Sequence, residues 1–572
     1  MLFRSRVRDN VGYRLDDSKT TLAEVLKRRG FQTGAFVGSY VLDSRFGLAQ
    51  GFDTYDDHFY SEKNPDGFRK LEQLERRGEE VVNHAMQWIE KINSQSPFFA
   101  WIHLYDPHDP YDPPPPFKAR YRSRPYDGEI AYADEQVGRL ITFLNKRGFY
   151  DKTLIVLTSD HGESFGEHRE FKHGYFLYDT TLLVPLLIKP PRQAFGKLTI
   201  DEQVRLVDVA PTIRQILELP RVADFQGTGL LGLLAGKQKQ LQLEAYSATY
   251  YPAQFGASSL RSLRRLSTKF IESPRPELYD LNQDPAELKN IYAENQALAN
   301  QLKNRLGEMS NMLADKGSEK NSQLALSSEE LEKLGALGYV GGPARADKVE
   351  SKSSSLSDPK DRLEIFQLLS EAGRNAATGR CPQAEKQFLE AIEKAPGIST
   401  AYFLLGRCYF NEQRFDLAYT AFQELLKLNP QSAEAQFYVS ACEFYLNRPD
   451  SAETGFRKVL SINPSYIYAH KYLGLIYQSK GQLEQALQEL LKVTELSPGD
   501  EEAQFRAGFL LARQARFTEA IPHFQKVIEI NSSNASAHHN LGLAYLRTGQ
   551  NDFGQKEIAQ ACRLDPKFCG KD

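Results

Sequence analysis

The sequence predicts two parts of different fold class, an α/β domain followed by an all-α array. The first observation is length, because 572 residues exceed the roughly 250–300 that one hydrophobic core usually serves. The second is an alternation of helical stretches with short apolar runs over residues 20–292, which is typical of a sheet flanked by helices. The third is a 34-residue repeat that fills the chain from residue 361 to its end.

The composition is typical of a globular protein and argues against a nucleic-acid partner. The net charge of −3 provides no basic excess. No apolar run approaches the roughly 20 residues that span a bilayer, and the opening residues contain no signal-peptide core. The cysteines form no Cys-x-x-Cys pair, so we expect neither a disulfide framework nor a zinc knuckle; they are Cys381, Cys408, Cys442, Cys562 and Cys569.

The α/β part alternates helices and strands in chain order. A helical stretch over 20–29 ends at Gly30 and leads into an apolar strand over 33–37. The elements predicted next are a helix over 72–95, a buried strand over 98–102, a helix over 129–147, a buried parallel strand over 154–157, a strand over 184–188, a helix opening at 207–212, and shorter strands and turns over 240–292.

A histidine follows the strand at 98–102. His108 lies between Pro107 and Pro110, which fix the backbone on either side of it. A rigid imidazole just beyond a strand end is a plausible binding group. The alternative is a histidine that only stabilises a turn.

A denser cluster follows the strand at 154–157. Asp160 and His161 come directly after this strand, and ligands of open α/β sheets bind at the carboxyl ends of strands. This pair can present a carboxylate oxygen and an imidazole nitrogen to one metal ion. His168, Lys172 and His173 follow within a few residues. The alternative is a polar loop of unrelated side chains.

Residues 1 to about 340 resemble the sulfatase branch of the alkaline-phosphatase superfamily. The resemblance rests on seven motifs in one order: RVRDN, the TLAEVLKRRGFQTGAFVGSYVLDSRFGLAQGFDTYDD block, PFFAWIHLYDPHDPY, SDHGESFGEH, KHGYFLYDTTLLVPLLIK, VDVAPT and ELYDLNQDPAE. It implies an alkaline-phosphatase-like fold, with a mixed sheet flanked by helices and a small C-terminal sheet. It also implies metal-dependent hydrolysis of sulfate esters, or of phosphate or phosphonate esters in relatives.

The resemblance places a divalent metal at Asp160 and His161. A mixed oxygen and nitrogen donor set favours manganese or zinc, whereas many family members hold calcium. A metal also suits the chemistry, because a tetrahedral anion under attack needs positive charge around its oxygens.

The same resemblance assigns the groups that contact the substrate anion. His108 matches the histidine on the sulfuryl or phosphoryl oxygens, and His173 lies near the second cationic contact, a role that Lys172 could share. Asn10 matches an asparagine placed against the anion. A histidine can also protonate the leaving alkoxide.

One expected feature does not occur in this sequence. The family nucleophile lies in a Cys- or Ser-x-Pro-x-Arg motif, tens of residues before the position of RVRDN, and a metal-binding Asp pair lies further upstream. The nucleophile motif occurs nowhere in the 572 residues, and no Asp pair precedes RVRDN. We therefore expect either the downstream part of a sulfatase-like domain or an inactive sulfatase-like scaffold. The intact histidines favour the first interpretation.

A change of composition separates the two parts. Residues 315–360 are rich in Lys, Ser, Glu, Gly and Asp and are predicted as a linker with a short helix over 327–337. Asp358 and Pro359 then provide an N-cap and a first-turn proline for the next helix. We therefore predict domain boundaries of 1–314, 315–360 and 361–572.

The last part resembles six tetratricopeptide repeats. Prolines recur at the 34-residue spacing, with small residues at repeat positions 8 and 20 and phenylalanine at position 24. Small residues let paired helices approach closely, so we predict a right-handed superhelix with one continuous core.

The inner groove of this array is a candidate surface for a protein or peptide partner. First-helix positions that would line it are Phe403, Arg407, Phe410, Phe437, Phe444, Phe505 and Phe509. The alternative is that these aromatic side chains form the core between repeats.

The expected function is that of a metal-dependent sulfuric ester hydrolase with a protein-interaction module. The alternative is an inactive scaffold whose repeats bind partners. The sequence does not fix the compartment; the resemblance implies an exported or membrane-anchored protein, while unpaired cysteines lean toward a reducing environment.

Overall fold

The computed structural model describes residues 14–59, 74–92, 96–313, 356–377 and 379–570. The chain divides into two compact units, one of residues 1–324 and 331–371, the other of residues 325–330 and 372–572. Asn10 and the predicted helix over 327–337 lie outside the described residues.

The described elements of the first unit alternate as the sequence predicts. Its α-helices are α1 (Leu22–Lys27), α2 (Gly78–Lys91), α3 (Phe117–Arg120), α4 (Pro125–Lys146), α5 (Asp179–Leu182), α6 (Val209–Ile216), α7 (Leu231–Leu234) and α8 (Gln296–Leu313). Its strands are β1 (Gln32–Val37), β2 (Thr54–Asp56), β3 (Phe98–His103), β4 (Ile155–Thr158), β5 (Leu186–Lys189), β6 (Glu244–Thr249), β7 (Leu260–Arg265), β8 (Thr268–Glu272) and β9 (Glu277–Asp280).

A parallel sheet lies at the start of the first unit. Its strand order is β2-β1-β3, with β1 parallel to both neighbours. Helix α2 covers it, because Val81 and Ala85 pack on Phe36 of β1. Gly34 permits this approach, since a Cβ there would lie 2.9 Å from the ring of Trp88.

Strand β4 differs from the sequence prediction. It pairs antiparallel with β5, and its residues are partly or fully exposed, so the predicted buried parallel strand is wrong. The connection agrees with this pairing, because among residues 159–185 the only α-helix is the four-residue α5, whereas parallel strands are usually joined by a long helix. Strand β3 is parallel as expected, but its residues are only partly buried.

The predicted small C-terminal sheet is confirmed. Strands β6 to β9 form a four-stranded antiparallel sheet in sequential order. Helix α8 closes one face of it through Ala299, Leu302 and Leu306, which pack against Leu263 and Phe270.

The next helix, α9 (Pro359–Ala377), begins in the first unit and ends in the second. The predicted cap is confirmed, because Asp358 Oδ1 accepts the backbone N–H of Lys360 at 2.9 Å and Pro359 opens the helix. Phe366 is buried, and its ring stacks on that of Tyr175 with centroids 4.3 Å apart.

The second unit contains the predicted helix pairs. After α9 its helices are α10 (Cys381–Lys394), α11 (Ser399–Asn411), α12 (Phe415–Leu428), α13 (Ala433–Tyr445), α14 (Pro449–Ile462), α15 (Ile467–Ser479), α16 (Leu483–Leu496), α17 (Glu501–Arg513), α18 (Phe517–Ile530), α19 (Ala535–Arg547) and α20 (Asn551–Leu564). Small residues bring the paired helices together as predicted, since a Cβ at Gly406 would lie 2.8 Å from the ring of Phe422.

The expectation that the cysteines stay unpaired is wrong. Disulfides join Cys381 to Cys408 and Cys562 to Cys569, and Cys442 is a buried free thiol. A search for Cys-x-x-Cys motifs cannot find the Cys381–Cys408 pair, because the two residues are brought together by helix packing. Cys381 opens α10 and Cys408 lies near the end of α11, and their Cα atoms are 5.8 Å apart.

Within the described ranges, no helix is long and apolar enough to cross a membrane.

Candidate active site

Two loops of the first unit bring the predicted site residues together. One follows β3 and carries His108; the other follows β4 and carries Asp160, His161, Lys172 and His173. The ring centroids of His161 and His173 are 3.8 Å apart, and those of His108 and His173 are 6.3 Å apart. Three imidazoles separated in the sequence therefore converge on one place.

His108 is held by its own loop and by α4. The backbone N–H of His108 donates to Glu129 at 3.0 Å, and Glu129 also accepts the N–H of Asp112 at 2.7 Å. The Tyr105 hydroxyl lies 2.9 Å from His108 Nε2, and the two rings stack at 4.2 Å. Among the described residues, buried His108 Nδ1 has no hydrogen-bond partner of good geometry, although the backbone of Asp109 interacts with this imidazole.

His173 is held by an acidic neighbour. Its Nδ1 lies 3.1 Å from a carboxylate oxygen of Glu163, whose side chain is only 7% exposed. Tyr111 also hydrogen-bonds to Glu163. Burial opposes ionisation of Glu163, but the bond and charge of His173 and the bond of Tyr111 prevail and lower its pKa. A charged Glu163 fixes the tautomer and orientation of the His173 ring.

Lys172 and the Asp160–His161 pair complete the cluster. Lys172 Nζ lies 2.8 Å from Asp109 Oδ2, which ties the second loop to the first. His161 Nε2 lies 3.6 Å from Asp160 Oδ2, and His161 Nδ1 lies 2.9 Å from the carbonyl oxygen of Gly162. The Asp160 side chain is 81% exposed, so this pair faces solvent.

The histidines of the first loop are shifted toward the neutral form. Burial, reinforced by the positive charge of His173, lowers the pKa of His108 to about 4. Burial also lowers the pKa of His103, at the end of β3, to about 4, although the Asp160 charge acts in the opposite direction. Desolvation by the surrounding loops disfavours the charged form of the exposed Asp160 carboxylate, but the neighbouring His161 and His103 outweigh it and lower the Asp160 pKa.

His168 does not join the cluster. Its backbone is left-handed, with φ of 50°, and its ring stacks on Tyr178 at 3.5 Å. Its Nε2 lies 3.1 Å from the carbonyl oxygen of Ala286.

Sequence analysis assigned no role to Tyr105, His103 or Glu163, and no spacing rule selects them. The only signal was their position within a few residues of His108 and His161.

Hydrogen bonds to Glu170 and to α9 hold the second loop in place. Glu170 is buried and accepts the backbone N–H of Tyr175 at 2.8 Å and that of Phe176 at 3.3 Å. The Tyr175 hydroxyl donates to the Pro359 carbonyl at 2.9 Å, and Gln367 Nε2 donates to the Arg169 carbonyl at 2.5 Å. The start of α9 therefore holds both ends of the segment that carries Lys172 and His173.

The Asp160–His161 pair can serve as two ligands of a divalent ion. Its 3.6 Å separation can be bridged by one ion with bonds of about 2.0–2.2 Å. Among the described residues, however, no group of three or more His, Cys, Asp or Glu side chains is arranged to hold a metal. The pair therefore fits part of a metal site.

The candidate partner-binding residues of the second unit lie in different environments. Phe403 and Phe437 are buried, and Phe437 packs with Phe456 and Tyr466, which is the core role that the sequence left open. The other candidate partner-binding residues are at least partly exposed: Arg407, Phe410, Phe444, Phe505 and Phe509. Phe505 and Phe509 lie parallel at 6.4 Å, and Phe509 is 37% exposed.

Comparison with known families agrees with this division of the chain. The Sulfatase family model matches residues 1–219, and the model of the N-sulphoglucosamine sulphohydrolase C-terminal region matches residues 166–312. Tetratricopeptide models match 375–433, 409–467, 473–500, 514–549 and 535–568. The chain is a sulfatase-family domain joined to tetratricopeptide repeats.

The curated proteins similar to the sulfatase domain include two sulfatases. N-acetylglucosamine-6-O-sulfatase of Bacteroides thetaiotaomicron is 31% identical over 186 residues, which are 31% of this chain and 33% of that protein. Arylsulfatase K of Bos taurus is 32% identical over 197 residues, which are 32% of this chain and 36% of that protein. The chain thus spans about a third of the length of these relatives.

Solved structures give weaker matches. A protein in complex with its substrate D-glucosamine-2-N,6-O-disulfate shares 22% identity, covering 56% of this chain and 87% of that one, with a TM-score of 0.47. The phosphonate monoester hydrolase of Agrobacterium radiobacter shares 20% identity, covering 55% and 84%, with a TM-score of 0.44.

Proposed function

We propose that the sulfatase-family domain binds the tetrahedral anion of a sulfate ester at the three converging imidazoles and that the whole protein hydrolyses this ester. The observation that carries the proposal is the convergence of His108, His161 and His173 beside Lys172. Cationic and hydrogen-bonding groups around one space suit an anion whose charge grows on its oxygens during attack. Phosphate and phosphonate esters present the same tetrahedral geometry and are secondary candidates.

Each residue has a distinct role in this proposal. Neutral His108 donates one hydrogen bond to an anion oxygen, because a pKa of about 4 leaves too little imidazolium for acid catalysis at neutral pH. His173, oriented through Nδ1 by Glu163, directs Nε2 toward the substrate and is the better candidate to protonate the leaving group. Lys172 adds positive charge.

Asp160 and His161 would hold a divalent ion, with manganese, zinc or calcium as candidates. A bound ion would neutralise and polarise the oxygens of the anion. The two residues supply two ligands, and water would supply others.

Inorganic sulfate tests the anion site without requiring turnover. Isothermal titration should show binding to the wild-type protein and at least ten-fold weaker binding to His173→Ala, because a charged hydrogen bond is worth about 1.5–3 kcal/mol. His168→Ala is the matched control, since its ring lies against Tyr178, and it should bind sulfate as the wild type does. Equal affinity in His173→Ala would contradict the proposal.

A non-catalytic scaffold is the second candidate. In this case the imidazole cluster would bind its anion without turnover, and the repeats would bind the partner protein. Sulfate binding without hydrolysis of an aryl sulfate, with manganese, zinc or calcium added, would favour this candidate. Hydrolysis that is abolished by a chelator and by Asp160→Ala would favour the enzyme.

We also propose that the repeats bind a protein or peptide through their partly exposed first-helix residues, with Phe509 the most exposed of the aromatic candidates. An exported or membrane-anchored protein is the proposed setting. The two disulfides support an oxidising compartment, where such bonds persist.

A further inference from the structure

We propose that the disulfide between Cys562 and Cys569 is a site of thiol–disulfide exchange, at which reduction by a dithiol releases Phe568 from His539. Residues 562–569 are here called the clasp. The exchange site belongs to the repeat unit and goes beyond the proposed function, because it does not depend on the anion site of the first unit.

The two disulfides of the protein differ in accessibility. Cys381 and Cys408 are both buried, being 7% and 3% exposed. In the clasp, Cys562 is partly exposed and Cys569 is exposed. The rate of thiol–disulfide exchange depends on the access of the attacking thiolate to a sulfur atom. A reductant should therefore open the clasp before it opens the disulfide between α10 and α11.

The exchange in the clasp balances as the transfer of two electrons and two protons from the dithiol. One thiolate of the dithiol attacks Sγ of Cys569, forms a mixed disulfide with it and expels the Cys562 thiolate. The second thiolate of the dithiol then attacks its own sulfur in the mixed disulfide and expels the Cys569 thiolate. The dithiol leaves as a disulfide, and the two protein sulfurs take up the two protons.

The clasp holds an aromatic ring against the sixth repeat. Pro566–Phe568 form a single 3₁₀ turn, at whose start Asp565 Oδ1 accepts the backbone N–H of Lys567 at 3.0 Å. The ring of Phe568 stacks on that of His539 in α19, with centroids 4.8 Å apart. Because a disulfide limits the conformations of the segment that it closes, the intact clasp keeps Phe568 close to this helix.

The contact on His539 resembles those between the inner repeats. His539 is the fifth residue of its repeat, as Phe403 and Phe437 are of theirs. The ring of Phe403 lies 6.0 Å from that of Tyr438, which belongs to the following repeat. The ring of Phe437 likewise lies 5.7 Å from that of Tyr472. The clasp therefore places its phenylalanine where an inner repeat receives a tyrosine, and it covers part of the stacking face of α19.

The state of the clasp should extend to the candidate partner surface. Helix α19 packs against α17, which carries Phe505 and Phe509. Each repeat of such an array is stabilised by its neighbours, so loosening α19 should loosen α17 before the helices at the start of the array. Only this last step rests on the proposed partner-binding role of the repeats.

Limited reduction tests the exchange site directly. The native protein is treated with a small excess of dithiothreitol and then with iodoacetamide, and labelled peptides are quantified by mass spectrometry. Cys562 and Cys569 should be labelled roughly ten-fold faster than Cys381 and Cys408, because access controls the exchange. Equal rates for the two pairs, or faster labelling of the buried pair, would overturn the proposal.

Cys569→Ser tests the release of the ring while the other disulfide stays intact. Diethyl pyrocarbonate should modify His539 roughly three-fold faster in this variant than in the wild type, because the clasp opens locally. His538 is the matched control: it is 7% exposed, its Nδ1 lies 2.5 Å from Glu557, and it should stay protected in both proteins. Phe568→Ala should expose His539 to the same extent with the disulfide still closed.

The outcomes distinguish the parts of the proposal. If Phe568→Ala exposes His539 but Cys569→Ser does not, the disulfide does not control the contact and the proposal fails. If neither variant changes the modification of His539, it fails as well. Hydrogen exchange should be faster in α19 and α17 of Cys569→Ser and unchanged in α11 and α12. Faster exchange in α19 alone would refute the link to the partner surface, while the exchange site would stand.

Discussion

Lys172 shows how single charges set the properties of the candidate site. Its ammonium group is paired with Asp109 at 2.8 Å, and both side chains are about three-quarters buried. Part of its positive charge is therefore already neutralised. An anion arriving at the imidazoles competes with Asp109 for it.

This competition gives a two-sided prediction. Lys172→Met should weaken sulfate binding several-fold, and Asp109→Asn should strengthen it by a similar factor, because partly exposed charge pairs are worth about 0.2–1 kcal/mol. Calorimetric titration at low and moderate salt measures both. A loss of affinity in Asp109→Asn would show that the aspartate mainly positions the lysine.

Glu170 gives a prediction for the pH dependence of stability. Burial, against the two backbone N–H groups that it accepts, raises its pKa from 4.5 to about 7. Because the folded-state pKa is the higher one, the folded protein binds more protons between these values. The stabilisation is complete below about pH 4.5 and is lost as the pH rises through 7.

Glu170→Gln imitates the protonated form and should remove this dependence. The difference in unfolding free energy between variant and wild type should grow by up to about 3 kcal/mol in favour of the variant from pH 4.5 to 8. Urea denaturation of the sulfatase unit, followed at several pH values, measures it. A constant difference across that range would mean that Glu170 is not the titrating group.

At the scale of elements, α9 stabilises the loop that carries Lys172 and His173. Phe366 stacks on Tyr175 and also contacts Phe255 at 5.1 Å between centroids. Phe366→Leu should lower the stability of the sulfatase unit by about 1–2 kcal/mol and weaken sulfate binding, because the loop loses its support.

Phe388→Leu is the matched control for this change. Phe388 is equally buried but lies in α10 of the repeat unit. It should lower the stability of the repeats without altering sulfate affinity. If Phe366→Leu destabilises the protein and sulfate binding is unchanged, α9 supports the fold and not the site.

Two helical glycines should respond to alanine in opposite directions. Gly406 lies against Phe422, so a Cβ would force a shift, and Gly406→Ala should destabilise the repeats by about 1–3 kcal/mol. Gly307 of α8 has nothing within 4 Å of its Cβ position, so Gly307→Ala should stabilise the first unit by about 0.5–1 kcal/mol. Thermal melts of both variants give the signs directly.

At the scale of the whole molecule, the cysteines distinguish the two units. All five lie in the second unit, and two pairs are joined. Alkylation of the unreduced, unfolded protein should modify Cys442 alone, and the native protein should react slowly because this thiol is buried. Reduction should lower the melting temperature of the repeats and leave that of the sulfatase unit unchanged. Five alkylated cysteines without reductant would contradict the pairing.

The sequence predicted the repeats more completely than the α/β part. Helices begin at 399, 433, 467, 501 and 535, which is the predicted 34-residue spacing, because each repeat contacts its neighbours through local, periodic positions. The direction of β4 was not predictable, since an apolar run indicates a strand without indicating its partner. Cys381 and Cys408 likewise meet through helix packing.

The candidate site was partly accessible from sequence. Spacing after strand ends selected His108, His161 and His173, which the structure brings together. The same spacing could not exclude His168, which a left-handed backbone turns toward Ala286. It also could not identify Glu163 as the partner of His173, because that contact depends on how one loop folds back on itself.

Helix α9 also determines how the protein can be divided for separate expression. A cut at the end of the low-complexity segment, before Pro359, would leave Tyr175, Tyr251 and Phe255 without the ring that they surround. The first unit should therefore be produced with residues up to Glu371, and the separately produced repeats would then lack part of their opening helix. Exchange of either unit with an unrelated protein would meet the same difficulty, because the junction lies within α9 and not in the segment before it.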